Sequence, residues 1–243
     1  MASAAAPGAS PGAALLEVAD LSFIWPGQPR PAVEVAAFSL GEGETVFLHG
    51  ESGSGKSTLL SLLAGVLLPT RGRIALMGAD WRALGRAARD RHRVDHVGYI
   101  FQQFNLLPYL GVLDNVLLPC RFSAQRRAAA EAEAGSAPEA ARALLRAMGL
   151  DESLWDRAAG RLSVGQQQRV AAARALIGSP ALVIADEPTS ALDEDRRDAF
   201  VDLLLAACER RGSALVFVSH DRRLAPRFSR QVALAGLRNG AST

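Results

Sequence analysis

Apolar and polar positions alternate through the first patterned stretches of the chain. LLEVADLSF (15–23), AVEVAAFSL (32–40) and ETVFLHG (44–50) carry Val, Leu and Phe on a near two-residue period, which predicts three strands. The apolar positions of STLLSLLAGV then predict a helix from Lys56 to about Val66. GRIALMG (72–78) and HVGYIF (96–101) read as further strands. From Gly111 to about Arg161 the pattern is helical, in Ala-rich segments broken at Gly135-Ser136-Ala137-Pro138. ALVIAD (181–186) is a continuous apolar run, as expected of a parallel strand covered on both faces. A helix from about Glu194 to Arg210 and the strand ALVFVS (214–219) follow. No internal repeat is seen. Strand–loop–helix units recurring around a helical insertion predict an α/β core with an inserted helical lobe.

Composition narrows the class. A chain of 243 residues is ample for a buried core. Hydrophobic residues make up 49%, yet no uncharged apolar run approaches the length of a membrane span. A net charge of +2 gives no argument by itself for nucleic acid or an anionic membrane. Cys120 and Cys208 are far apart and fit no metal or redox spacing, so they read as two packed thiols in a reducing compartment. MASAAAPGASPGAA (1–14) lacks the basic start and apolar centre of a secretion signal and reads as a disordered lead-in.

Charge usage then points to one place. Of the 27 Lys and Arg residues, only Lys56 is lysine. It lies in GESGSGKST, residues Gly50, Glu51, Ser52, Gly53, Ser54, Gly55, Lys56, Ser57 and Thr58. This matches G-x-x-x-x-G-K-[ST] between a predicted strand and a predicted helix, the context a phosphate-binding loop needs. Glycines let several backbone N–H groups face one phosphate chain, and the helix N-terminus adds partial positive charge. A compact ammonium fits among β- and γ-phosphate oxygens where a planar guanidinium does not. Ser57 offers a hydroxyl to Mg²⁺. Alone, the loop says only "nucleoside triphosphate".

Two further strand ends carry chemistry. LVIADEP places Asp186 and Glu187 at the end of an apolar strand, where acids are costly unless they serve a cation or water. Asp186 is expected to hold Mg²⁺ through water and Glu187 to polarise the attacking water. His220, in VFVSHD, ends the next apolar strand and is expected near the γ-phosphate. His49, His92 and His96 form no metal constellation.

RLSVGQQQRVAAARAL (161–176) resembles the ABC signature, Leu-Ser-Gly-Gly-Gln followed by a helix, here as Leu162, Ser163, Val164, Gly165 and Gln166. The resemblance covers nearly the whole chain. It implies a P-loop NTPase of the ABC cassette type, with a RecA-like core, an antiparallel β subdomain and an inserted α-helical subdomain at about 103–165 of a single domain over 15–240. Trp25, or Phe23 beside it, sits where the family carries an aromatic that stacks on adenine. Gln102 matches the Q-loop glutamine, a ligand of Mg²⁺. SALD (190–193) matches the D-loop with Asp193, and His220 the switch histidine. The signature, Ser163 and the Gly165 N–H above all, would meet the γ-phosphate of ATP bound to a second cassette, so a complete site needs two chains. Val164 departs from the family's glycine, which implies reduced turnover at most, and Glu51 stands where many relatives carry proline.

YIFQQFNLLPYLGVLDNVLLP (99–119) resembles the lipoprotein-release and macrolide-efflux group and the related cell-division ATPase. That implies an ATPase subunit, homodimeric in the sense of two identical cassettes, working with a separate FtsX-like permease and peripheral to the cytoplasmic face of the cell membrane. Part of the run from Phe104 to Leu110 is expected to line a groove for a permease helix. The competing reading is a soluble ABC ATPase acting on nucleic acid or the ribosome. A single cassette without a long heptad run or a basic tail argues against it. A third is a nucleotide-gated partner that seldom hydrolyses.

Overall fold

The computed structural model describes residues 14–238, so the lead-in expected over 1–14 lies, except for Ala14, outside the described residues. Elements follow in the order β1 (Leu16–Phe23), β2 (Val33–Leu40), β3 (Thr45–His49), α1 (Lys56–Leu63), β4 (Arg71–Leu76), β5 (Ala79–Asp80), α2 (Arg86–His96) and β6 (Val97–Ile100). The lobe helices α3 (Val112–Phe122), α4 (Ala124–Ala134) and α5 (Ala137–Ala147) come next. The chain returns through α6 (Val164–Leu176), β7 (Leu182–Asp186), α7 (Glu194–Arg211), β8 (Ala214–Val218) and β9 (Arg230–Ala233).

Two sheets result. One is antiparallel in the order β2-β1-β4-β5, and the other is parallel in the order β6-β7-β8-β3-β9. Every residue of β7 and β8 is buried, as the unbroken apolar runs required. Alternation along β7 divides the core. Val183 and Ala185 face a cluster shared with α6, α7 and the lobe. Leu182 and Ile184 face α1 and the antiparallel sheet. Cys120 and Cys208 are both buried thiols, and burial pushes Cys208 up to about 12.

Local chemistry starts and stops these elements. Ser136 caps α5 with Pro138 and Glu139 in its first turn, and Asp193 caps α7, which ends at Gly212 in the left-handed region. The helix expected to reach Val66 ends at Leu63 instead. Gly65 turns left-handed there, and the buried Trp81 ring leaves no room for a side chain at that position.

Helix α6 lies directly on β6. A Cβ at Gly98 would stand 2.2 Å from the Ala175 carbonyl oxygen, so only glycine permits this approach. Arg126 of α4 is 2% exposed and donates to the carbonyls of Ala175 (2.6 Å) and Ile177 (2.7 Å), which ties the lobe to the end of α6. Burial lowers this guanidinium to about 10, and Cys120 and Asp95 act in the opposite direction. The Gly98→Ala variant is expected to lose about 2 kcal/mol of unfolding free energy from overpacking. Denaturant titration checks this, and an unchanged midpoint would mean the α6–β6 contact is loose.

Candidate active site

All five strands of the second sheet are parallel, so the loops that leave them gather at one edge. The phosphate loop follows β3, Gln102 lies beyond β6, Asp186 ends β7, and His220 lies two residues past β8. The order β6-β7-β8-β3 sets these four exits side by side.

Gly55 precedes α1 with φ +96°, and a Cβ there would meet the Ala32 carbonyl oxygen at 2.5 Å. No side chain caps α1, so its first N–H groups stay available to an anion. Lys56 is buried and curls back into its own loop. Its Nζ donates to the carbonyls of Gly50 (3.0 Å) and Glu51 (2.9 Å) and lies 3.8 Å from Glu187 Oε1. Three oxygens around one nitrogen is a geometry for an ammonium. Glu51, Ser52, Gly53 and Ser57 are exposed, Thr58 is half-buried, and the Ser54 hydroxyl is buried without a hydrogen-bond partner among the described residues.

Glu187 adopts φ +45°, a costly backbone for a residue with a side chain. Its N–H donates to the Val218 carbonyl at 3.1 Å, and its Oε1 lies 2.7 Å from His220 Nε2. Carboxylate, ammonium and imidazole thus converge on one point. Burial pushes the Asp186 carboxyl up from its ordinary value. The Ser57 hydroxyl opposes this, Glu187 adds to it, and Lys56 opposes it.

Gln102 is exposed on the loop after β6. Trp25 is 42% exposed and meets Phe23 edge-on at 4.9 Å, while Phe23 is buried. Of the two aromatics, Trp25 alone offers a free face. Ser163 and Gln166 form a capping box at the start of α6: Ser163 N donates to Gln166 Oε1 (2.9 Å) and Gln166 N to Ser163 Oγ (3.4 Å). The Ser163 hydroxyl accepts in this arrangement, and its own proton stays free to donate. Asp193 caps α7 by accepting from Arg196 N at 3.0 Å. Sequence reasoning missed Gln168, which is 1% exposed and donates to the Pro188 carbonyl at 2.8 Å. Its one signal was a third glutamine in succession on an otherwise apolar helix face.

The edge does not bring everything together. Ser163, Val164, Gly165 and Gln166 line a cavity of about 530 Å³ with Leu192 and Asp193, and no phosphate-loop residue lines it. Gly50, Glu51, Ser54 and His220 line a different one of about 610 Å³.

A glycine-rich loop at the head of a helix, facing acids at the ends of parallel strands, defines a P-loop nucleoside triphosphatase. The sequence matches the ABC transporter family over residues 33–190, and the chain belongs to that family. It is 43% identical over 192 residues to the uncharacterized ABC transporter ATP-binding protein YbbA of Escherichia coli K12, covering 79% of this chain and 81% of that protein. It is 42% identical over 204 residues to the lipoprotein-releasing system ATP-binding protein LolD of Hydrogenovibrio crunogenus, covering 84% and 85%. A dimeric structure of the bacterial ABC transporter cassette MJ0796 superposes with a TM-score of 0.77 at 32% identity, over 90% of this chain and 93% of that one. A second dimeric structure of MJ0796, in a post-hydrolysis state bound to ADP and Pi, gives a TM-score of 0.76. The chain is accordingly an ATP-binding, ATP-hydrolysing subunit of an ABC transporter of the LolD and YbbA type, and the nucleic-acid and ribosome alternative falls away.

Because burial disfavours the ionised form of Asp186, its raised pKa favours the fold most below the unfolded carboxylate value, and that contribution is lost as pH rises through the folded value. Asp186→Asn removes this cost of ionisation. Without nucleotide, the variant is expected to melt above the parent chain at neutral pH and to lose the advantage under acid conditions. Melting curves across pH check it, and a gain independent of pH would contradict the assignment.

Proposed function

We propose that this chain hydrolyses Mg-ATP between two identical copies and passes the resulting closure to a separate membrane permease. The carrying observation is the separation of the two cavities: signature and phosphate loop lie on the same chain but line different spaces. A signature can then meet a bound triphosphate only from a second cassette.

Each side chain has one task in this reading. Trp25 stacks on adenine, and the phosphate-loop N–H groups with Lys56 hold the β- and γ-phosphates. Glu187 takes a proton from the water that attacks the γ-phosphorus as the bond to ADP breaks, and His220 orients Glu187 and the γ-phosphate. The partner copy brings the Ser163 hydroxyl and the Gly165 N–H to the same phosphate, while Gln166 and Asp193 shape the loops that carry them. Val164 is 48% exposed on that face. Ser57, Asp186 and Gln102 fit a small hard cation, since all three offer oxygen donors and Asp186 is 9% exposed with its carboxyl pushed up by burial. Mg²⁺ would supply charge neutralisation on the phosphate oxygens.

An FtsX-like permease is the partner that best fits the remaining surface. Among the described residues no helix is long and apolar enough to cross a membrane. Val66, Tyr99, Phe101, Leu118 and Phe122 line a groove of about 320 Å³ between the lobe and the core. Phe122 is 74% exposed. An amphipathic helix of the permease would cover them and hold the ATPase on the inner face of the membrane. Of the run expected to line this groove, Phe104 is instead buried in the core, Tyr109 is exposed, and Asn105 reaches the groove.

Glu187→Gln is expected to keep ATP binding and lose about a hundredfold or more in turnover, while Lys56→Ala loses binding itself. Nucleotide titration and single-turnover hydrolysis separate these, and normal turnover by Glu187→Gln would remove Glu187 from the base role.

A further inference from the structure

Phe104 and Asn105 follow Gln102 by two and three residues, and both adopt left-handed backbone at φ +58° and +48°. Neither is glycine, and Phe104 in particular needs surroundings that hold it there. Their N–H groups donate back to the carbonyls of Phe101 (2.9 Å) and Gln103 (2.6 Å), and one side chain grips their own carbonyls. Arg174 Nη2 donates to the Phe104 carbonyl (2.6 Å) and Nη1 to the Asn105 carbonyl (2.7 Å). The planar fork places a separate nitrogen on each of two consecutive oxygens, whereas a lysine would have to reach both from a single one. Burial lowers the Arg174 guanidinium from its ordinary value, and its bond to Phe104 is half-buried while that to Asn105 is exposed.

Arg174 is on α6, the helix whose first turn carries Ser163 and Gly165. The eleven residue steps from Ser163 to Arg174 amount to about 16 Å of rigid helix. Val170, Ala171, Ala172 and Ala173 along it are fully buried. Beyond the left-handed pair, the buried Asn115 of α3 holds the chain by accepting from Leu107 N (2.8 Å) and donating to Leu107 O (3.1 Å). The backbone from Phe104 to Leu107 is therefore fixed at both ends. Phe101, Gln102 and Gln103 are exposed between it and β6.

We propose that Arg174 is the positioning residue for Gln102: it makes the start of the signature helix and the loop behind Gln102 one body, so that any shift of Ser163 moves Gln102 with it. The inference rests on the role given to Gln102 above.

A double-mutant cycle on the full chain tests it. Arg174→Ala is expected to lower kcat about tenfold, to raise the half-saturating Mg²⁺ concentration, and to leave Mg-free ATP affinity unchanged. Amide exchange at Phe104 and Leu107 should rise without nucleotide present. Gln102→Ala alone should also lower kcat, and the double variant should be no slower than the slower single. Should Arg174→Ala fail to fold, Arg174→Lys, which keeps the charge but replaces the two-nitrogen fork by a single nitrogen, enters the same cycle. Additive losses, or a lower kcat with the Mg²⁺ half-saturation unmoved, would overturn the role of Arg174 while leaving that of Gln102 intact. Full activity in Gln102→Ala would overturn the role of Gln102 and the inference with it.

Discussion

Everything at the active edge hangs on the contact of α6 with β6. Glycine at position 98 lets a helix carbonyl approach where any side chain would stand 2.2 Å from it. From that seat α6 reaches in four directions. Gln168 grips the Pro188 carbonyl beyond Glu187, and Arg174 grips the two carbonyls behind Gln102. Arg169 donates to Met148 and Gly149 at the end of the lobe, and Arg126 of the lobe donates back to Ala175 and Ile177. These are side chain to backbone bonds; those to Pro188, Phe104, Met148, Ala175 and Ile177 lie in buried or half-buried places, where an unpaired carbonyl would cost about 1–3 kcal/mol. The helix that begins with the capping box of Ser163 is thus braced against the loops that carry Gln102 and Glu187 in its own chain.

The sheet supplies the second constraint. Parallel strands deliver their C-terminal ends to one side, so four loops distant in sequence become neighbours without long excursions. At that edge the lone lysine of the chain is ringed by two loop carbonyls and Glu187. His220 closes the same carboxylate from the other side at 2.7 Å. Charge is concentrated there without any residue of the signature, and the proposed pairing of two cassettes rests on that division.

Much of this was legible in the sequence where the signal is local. Strands β1 to β4, β7 and β8 announce themselves through alternation or unbroken apolar runs, and the phosphate loop through the spacing of Gly50, Gly55 and Lys56. Helix α2 was missed because RAARDRHRVDH has no apolar stripe and buries no residue. Strands β5 and β9 were missed because β5 has only two residues and β9, RQVA, lacks the apolar run that made the equally short β6 readable. Trp25 and Phe23 are equivalent on paper and are separated only by burial. The arginines that matter were the hardest to see. Arg126 and Arg174 look like the many solvated arginines around them, and their carbonyl partners lie 29 to 70 residues away. A grip on a backbone oxygen leaves no mark on the partner's identity, so no pattern of side chains could point to it.

The central claim is that one chain holds two halves of two sites. Sedimentation of the hydrolysis-impaired Glu187→Gln chain, with and without Mg-ATP, tests it most directly. A monomer that becomes a dimer only with Mg-ATP, and fails to do so when Ser163 is replaced by a bulky residue, is the expected result. A chain that stays monomeric while it encloses nucleotide fully would contradict it.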